Sequence, residues 1–150
     1  MAQKTPYVYL TSTIATNFNT SNITITGLMN QQQVIETLNL KSATTGLVTH
    51  SFTTGAIWYH SSMLANFSVA LTNVPTTQNR ATVVSLVLNQ GATPYYANGL
   101  TINGAAVPIR WPNAIAPTAT ANRTEIESFT LYYIGTTWNA VGQYTSFGTV

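Results

Sequence analysis

The chain has 150 residues, 45% of them hydrophobic, but only 5% charged, against about a quarter in ordinary globular domains. With no cysteine and no aspartate, disulfide frameworks, cysteine zinc sites and thiol chemistry are excluded. The net charge of +2 comes from single bases scattered along the chain (Lys4, Lys41, Arg80, Arg110, Arg123), so no basic patch exists to neutralise nucleic-acid phosphates.

In chain order, Met1–Pro6 lacks the basic and apolar regions of a signal peptide, and no later run reaches the ~18 apolar residues of a membrane span. The expectation is synthesis in the cytoplasm, with neither membrane nor nucleic acid as partner. Residues 1–27 are rich in Thr, Ser and Asn, with Tyr7, Tyr9, Ile14 and Phe18 as isolated apolar anchors. That pattern suits either an extended edge segment of the same domain or an arm laid on a neighbouring subunit. Residues 28–150 are expected to form the domain proper. Leu28–Gln33 has slight helical character. Val34–Leu40 alternates, placing Glu36 on a face with Val34, Leu38 and Leu40, near a strand end that faces solvent or a base.

From Gly46 the pattern becomes plainly β: short runs rich in Val, Ile, Thr and aromatics, divided by small polar residues. Leu47–Phe52 alternates with Val48, His50 and Phe52 on one face. Asn66–Leu71 does the same with Phe67, Val69 and Leu71. Ala56–Tyr59 and Thr82–Leu88 are apolar on both sides, which predicts central strands buried on both faces. Asn103-Gly104 predicts a type I′ hairpin turn pairing Ile102 with Ala105, and Gly135-Thr136 a type II′ turn pairing Tyr133 with Trp138 and Leu131 with Ala140. Trp111–Thr124 is a long Pro/Ala/Thr loop. Eight to ten short strands without a convincing helix predict an all-β fold, an antiparallel β-sandwich of jelly-roll-like form.

Four segments, GLVTHSFTTGAIWYH, ANFSVALTNVPTTQNR, LNQGATPYYANGLTINGAAVPIRW and ESFTLYYIGTTWNAVG, together spanning Gly46 to Gly142, resemble the β-rich domain of virion structural proteins from marine tailed phages of the cyanophage type. The resemblance implies a non-enzymatic component of the phage particle, and no catalytic residue carries over from it. A chain of this size within that class implies a capsid decoration (cement) protein on the head. Its expected partners are the major capsid protein or other virion proteins, and it would act as a homo-oligomer, with a trimer favoured. The alternative is a tail- or fibre-associated receptor-binding module of lectin type.

Chemistry-bearing residues are few. Glycosidases need two carboxylates flanking a bond; Glu125 and Glu127, two apart on a strand, would sit side by side, and are expected as a charged strand start paired with Arg123 or Arg110. A catalytic triad lacks its acid. His50 is expected as a hydrogen-bonded core or interface histidine and His60 at a strand end; the two would hold a metal only with a third ligand. No cofactor is expected. Tyr95, Tyr96 and Trp111, in or beside loops, are the candidate contacts for a partner or a host glycan, while Trp58, Tyr59 and Trp138 are also available to the core.

Overall fold

The structure is a computed structural model that describes Leu28 and residues 33–148. The chain divides into two units, Met1–Val34 and Ile35–Val150, and all the described strands belong to the second. The candidate anchors Tyr7, Tyr9, Ile14 and Phe18, and most of Leu28–Gln33, lie outside the described residues.

Among the described residues ten strands form two sheets: β1 (Leu38–Ser42), β2 (Gly46–Ser51), β3 (Ile57–Ser61), β4 (Phe67–Thr72), β5 (Arg80–Asn89), β6 (Ala97–Ile102), β7 (Ala105–Ala106), β8 (Ile109–Arg110), β9 (Thr124–Ile134) and β10 (Thr137–Phe147). One sheet has the order β1-β3-β5-β9-β10-β8 and the other β2-β4-β6-β7. The fold is therefore all-β in its described part, but the antiparallel pairing expected from the sequence is corrected. The pairs β1–β3, β3–β5, β2–β4, β4–β6 and β8–β10 are parallel, and only β5–β9, β9–β10 and β6–β7 are antiparallel.

The cause is the path of the first six strands. Odd-numbered strands enter one sheet and even-numbered strands the other, so each strand returns beside the one two before it. Parallel neighbours need a crossover connection, and here that crossover is a strand of the opposite sheet. The corners between sheets use tight left-handed backbone at Ala43, Ser62, Asn73 and Asn79, with φ of 52°, 50°, 59° and 58°. After β6 the chain changes habit. Asn103 and Gly104 both take positive φ, and Ile102 pairs with Ala105 as the turn type requires. The β9–β10 hairpin turns at Gly135 (φ 63°), with Tyr133 opposite Trp138 and Leu131 opposite Ala140. Both hairpins are as the sequence predicts.

The buried faces of both sheets meet in one apolar cluster. Phe67, Val69 and Leu71 of β4 and Leu100 and Ile102 of β6 join Trp58 of β3, Val84, Leu86 and Leu88 of β5, and Phe129 and Leu131 of β9. Two expectations about facing are overturned. β5 is central in its sheet but buried on one side only: Val83, on the other side, is 53% exposed. In β1 the alternation runs opposite to a core face. Leu38 and Leu40 point outward, while Asn39 turns inward and its Nδ2 donates to the Thr54 and Ile57 carbonyls at 3.1 and 3.3 Å. Glu36 lies exposed ahead of β1.

Leu131→Ala, which hollows the core, should cost about 2–5 kcal/mol. Leu40→Ala, at a site 74% exposed, should stay within about 0.5 kcal/mol of the parent. Urea unfolding midpoints of the two variants check this, and equal losses would contradict the facing of β1.

Candidate functional site

Among the described residues both histidines and two of the three glutamates, Glu125 and Glu127, have been drawn inside. His50 on β2 and His60 on β3 belong to different sheets, and both are fully buried. Their Nε2 atoms lie 3.0 Å apart. The tautomers follow from the partners. The Val48 carbonyl, 2.8 Å from His50 Nδ1, can only accept, so that nitrogen carries the hydrogen. His50 Nε2 is then bare and accepts from His60 Nε2–H. His60 Nδ1 is left to accept the Thr44 hydroxyl at 3.4 Å. The rings are held from both sides, His60 stacked on Phe67 and His50 edge-on to Trp58.

The shared hydrogen requires a neutral His50, since a proton on its Nε2 would set two N–H groups against each other. Burial accordingly pushes His50 down to about 4, opposed by its bond to Val48. Burial, and then the neighbouring His50, push His60 down to about 3. His50 is thus a core histidine as expected, and His60, next to last in β3, lies at a strand end as expected but is buried there. Each points its Nε2 at the other, and among the described residues no group of three or more His, Cys, Asp or Glu is placed to hold a metal.

The second cluster corrects the sequence reading more sharply. Glu125 and Glu127 do stand at the start of β9, but they are not paired with Arg123 or Arg110; both are fully buried on the core face of the strand. Glu125 Oε1 accepts the Thr120 N–H at 2.9 Å, and its Oε2 accepts Gln90 Nε2 at 2.7 Å and the Tyr144 hydroxyl. Glu127 Oε2 accepts the Ala97 N–H at the start of β6, in the opposite sheet, at 2.9 Å. Its Oε1 is buried without a partner. Burial pushes Glu127 up to about 8; the Ala97 bond works against this and the nearby Glu125 adds to it. Burial and the bond to Glu125 likewise hold the Tyr144 phenol well above its ordinary range. Arg110 is spent elsewhere, its guanidinium donating to the Tyr132 hydroxyl at 3.0 Å.

Gln90, which the sequence reading passed over, joins this cluster to the loop that follows β5. Its Nε2 donates to the Tyr95 carbonyl at 2.6 Å and its Oε1 accepts the Tyr95 N–H at 2.9 Å. The sequence held a usable signal for the glutamates. Glu125 and Glu127 share a parity with Phe129 and Leu131, so strand periodicity already put all four on one face.

Of the candidate aromatic contacts, Tyr95, Tyr96 and Trp111 are each half-buried and packed on the core. Tyr96 meets Tyr144 edge-on at 6.4 Å and Trp111 leans on Phe129 at 6.1 Å. Trp111 also forms, with Tyr144, Pro112, Ile115 and Pro117, the wall of an open cleft of about 360 Å3, which Tyr95 does not line. The Trp111 ring sits over Gly142, where a Cβ would collide with it. No protein-family model, curated protein or solved structure matches the chain.

Chemically, the carboxylates and imidazoles have no accessible surface to offer a substrate. They serve to bridge sheets and to satisfy buried backbone groups.

Their protonation does set a pH profile. The histidines have folded values below the ordinary 6.5, so their stabilisation is complete above pH 6.5 and is lost as pH falls towards about 3. Glu127 has a folded value above its ordinary 4.5, so its stabilisation is complete below pH 4.5 and is lost as pH rises to about 8. The opposing slopes balance near pH 6.5, where the unfolded histidine pair binds on average one proton against the one held by folded Glu127. Urea midpoints measured from pH 4 to 8.5 should pass through a maximum there, and in Glu127→Gln the decline above pH 6.5 should disappear. A separate expectation concerns the cleft: Gly142→Ala should lift the Trp111 ring, red-shift tryptophan emission and cost about 1–3 kcal/mol.

Proposed function

We propose that this protein is a non-enzymatic structural component of a tailed-phage virion, and within that class a capsid decoration (cement) protein acting as a homo-oligomer. The observation that carries the non-enzymatic part is the burial of Glu125, Glu127, His50 and His60, which leaves these groups to hold the fold and gives none of them access to a substrate. The assembly role is supported by the surface. Only 5% of the chain is charged, while Leu38, Leu40, Leu47, Leu64, Ile115 and Ile134 are each at least half exposed. Large apolar side chains on a surface with so little charge suit a protein that works inside an assembly, where contact is made by shape and apolar burial. The phage assignment rests on the resemblance of Gly46–Gly142 to virion proteins of marine tailed phages.

In architecture we take the two sheets as the layers of a β-sandwich. Its parallel winding sets it apart from a jelly roll, whose strands run antiparallel. A receptor-binding role is the second reading, favoured by one feature, the open cleft walled by Trp111 and Tyr144. It would have Trp111 contact a host glycan.

The test is reconstitution. Purified protein mixed with phage heads stripped of their decoration should co-sediment with them and raise their resistance to heat or osmotic shock. Protein left in the supernatant would sink the decoration reading. Retention on host polysaccharide, lost in Trp111→Ala, would put the receptor-binding reading in its place.

A further inference from the structure

The outward face of the six-stranded sheet is unusual in what it lacks. Strand parity and register define it. Leu40 of β1 stands beside Tyr59 of β3, Tyr59 beside Val87 of β5, and Val87 beside Ile126 of β9, an apolar row across four strands. A second row runs from Val83 of β5 through Thr130 of β9 to Val141 of β10. The rest of the face is Ser, Thr, Asn, Gln and further apolar residues, among them Leu38, Ile57 and Tyr132. The centre holds Ser85 and Ser128, hydroxyl to hydroxyl at 3.0 Å. Among the described residues its one charged side chain is Arg110 on the edge strand β8, tied to Tyr132, and none is an acid. Six large hydrophobics that are more than a third exposed lie on this one face: Leu38, Leu40, Val83, Ile134, Val141 and Phe147.

We propose that this face is covered by the same face of a second copy of the chain, related to the first by a two-fold axis. The inference deepens the assembly reading above, on which it rests, by naming the surface and its occupant. Two arguments select a second copy. A face without net pattern of charge offers nothing to match a charged partner, but it meets its own copy without like-charge repulsion, and Arg110 falls at the rim of such a pair. The area also suffices. Strands of 5, 5, 10, 11, 11 and 2 residues, at ~3.3 Å per residue and ~4.8 Å between strands, cover roughly 700 Å2 in projection, close to the ~800 Å2 per partner of a standard interface. Two twisted sheets packed face to face settle about 30° apart with their side chains interdigitated, which an uncharged face of mixed small and branched residues allows.

The experiment is sedimentation velocity on the purified full chain across a concentration series, with two variants. Val83→Lys alters a residue already 53% exposed, so the fold has no reason to change, and Ile126→Lys strikes the middle of the apolar row. The parent should sediment as a dimer, and each lysine, facing its own copy across the axis, should raise the dissociation constant at least about tenfold. Circular dichroism of Val83→Lys should match the parent. A parent that stays monomeric, a trimer, or a dimer that withstands both lysines would overturn the proposal. A monomer that still co-sediments with phage heads would refute this pairing and leave the virion reading standing; a dimer that ignores heads would do the reverse.

Discussion

Backbone groups carried into the interior must find partners, and that requirement accounts for four of the six buried polar side chains among the described residues, His50, Gln90, Glu125 and Glu127. The winding of β1 to β6 between two sheets forces connecting segments past the ends of the apolar cluster. Thr120 N–H, Ala97 N–H and both backbone groups of Tyr95 are met there by Glu125, Glu127 and Gln90. Removing one of these side chains would orphan its backbone partner, at a cost of about 1–3 kcal/mol per buried group. The histidine pair does the comparable service between the sheets, joining β2 to β3 through a single shared hydrogen. A chain with three glutamates and two histidines has placed two of the former and both of the latter inside its core.

How much of this the sequence disclosed depended on the range of the cause. Turn chemistry is local, and Asn103-Gly104 and Gly135-Thr136 announced their hairpins down to the paired residues. Period-two alternation placed Phe67, Val69 and Leu71 on the core side correctly. Alternation is silent about strand direction, however, and a short corner that changes sheets looks the same as a hairpin turn. The parallel pairing therefore escaped, and with it the antiparallel jelly-roll expectation. β1 misled for a related reason. Leu38 and Leu40 are the apolar members of their strand, yet the inward face went to Asn39, whose amide donates to the Thr54 and Ile57 carbonyls.

The candidate chemistry was legible as residue types and illegible as environment. Side-by-side carboxylates looked like a charged strand end because burying them looked prohibitive. The cost is met by donors from Gln90, Tyr144, Thr120 and Ala97, drawn from four different segments. No pattern within β9 reports those partners. Trp111 is readable as an aromatic in or beside a loop, while the seat that Gly142 opens beneath its ring is seen only through the β8–β10 pairing.

The alternating path between sheets has a kinetic side. Only the β6–β7 and β9–β10 turns bring near neighbours in sequence together; β3 meets β1 across 19 residues, as Leu38 to Ile57, and β5 meets β9 across more than 40, as Ser85 to Ser128. Loop-closure entropy must be met before such contacts return anything, so chains rich in them fold slowly. The β9–β10 hairpin, eleven residues on each arm, is the natural seed, offering β5 an edge to join, with the wound strands following. Until that happens its apolar face and free edges are open to other copies. In a cell making many copies at once, the interval between synthesis and completed winding is therefore when this chain is most exposed to misassembly.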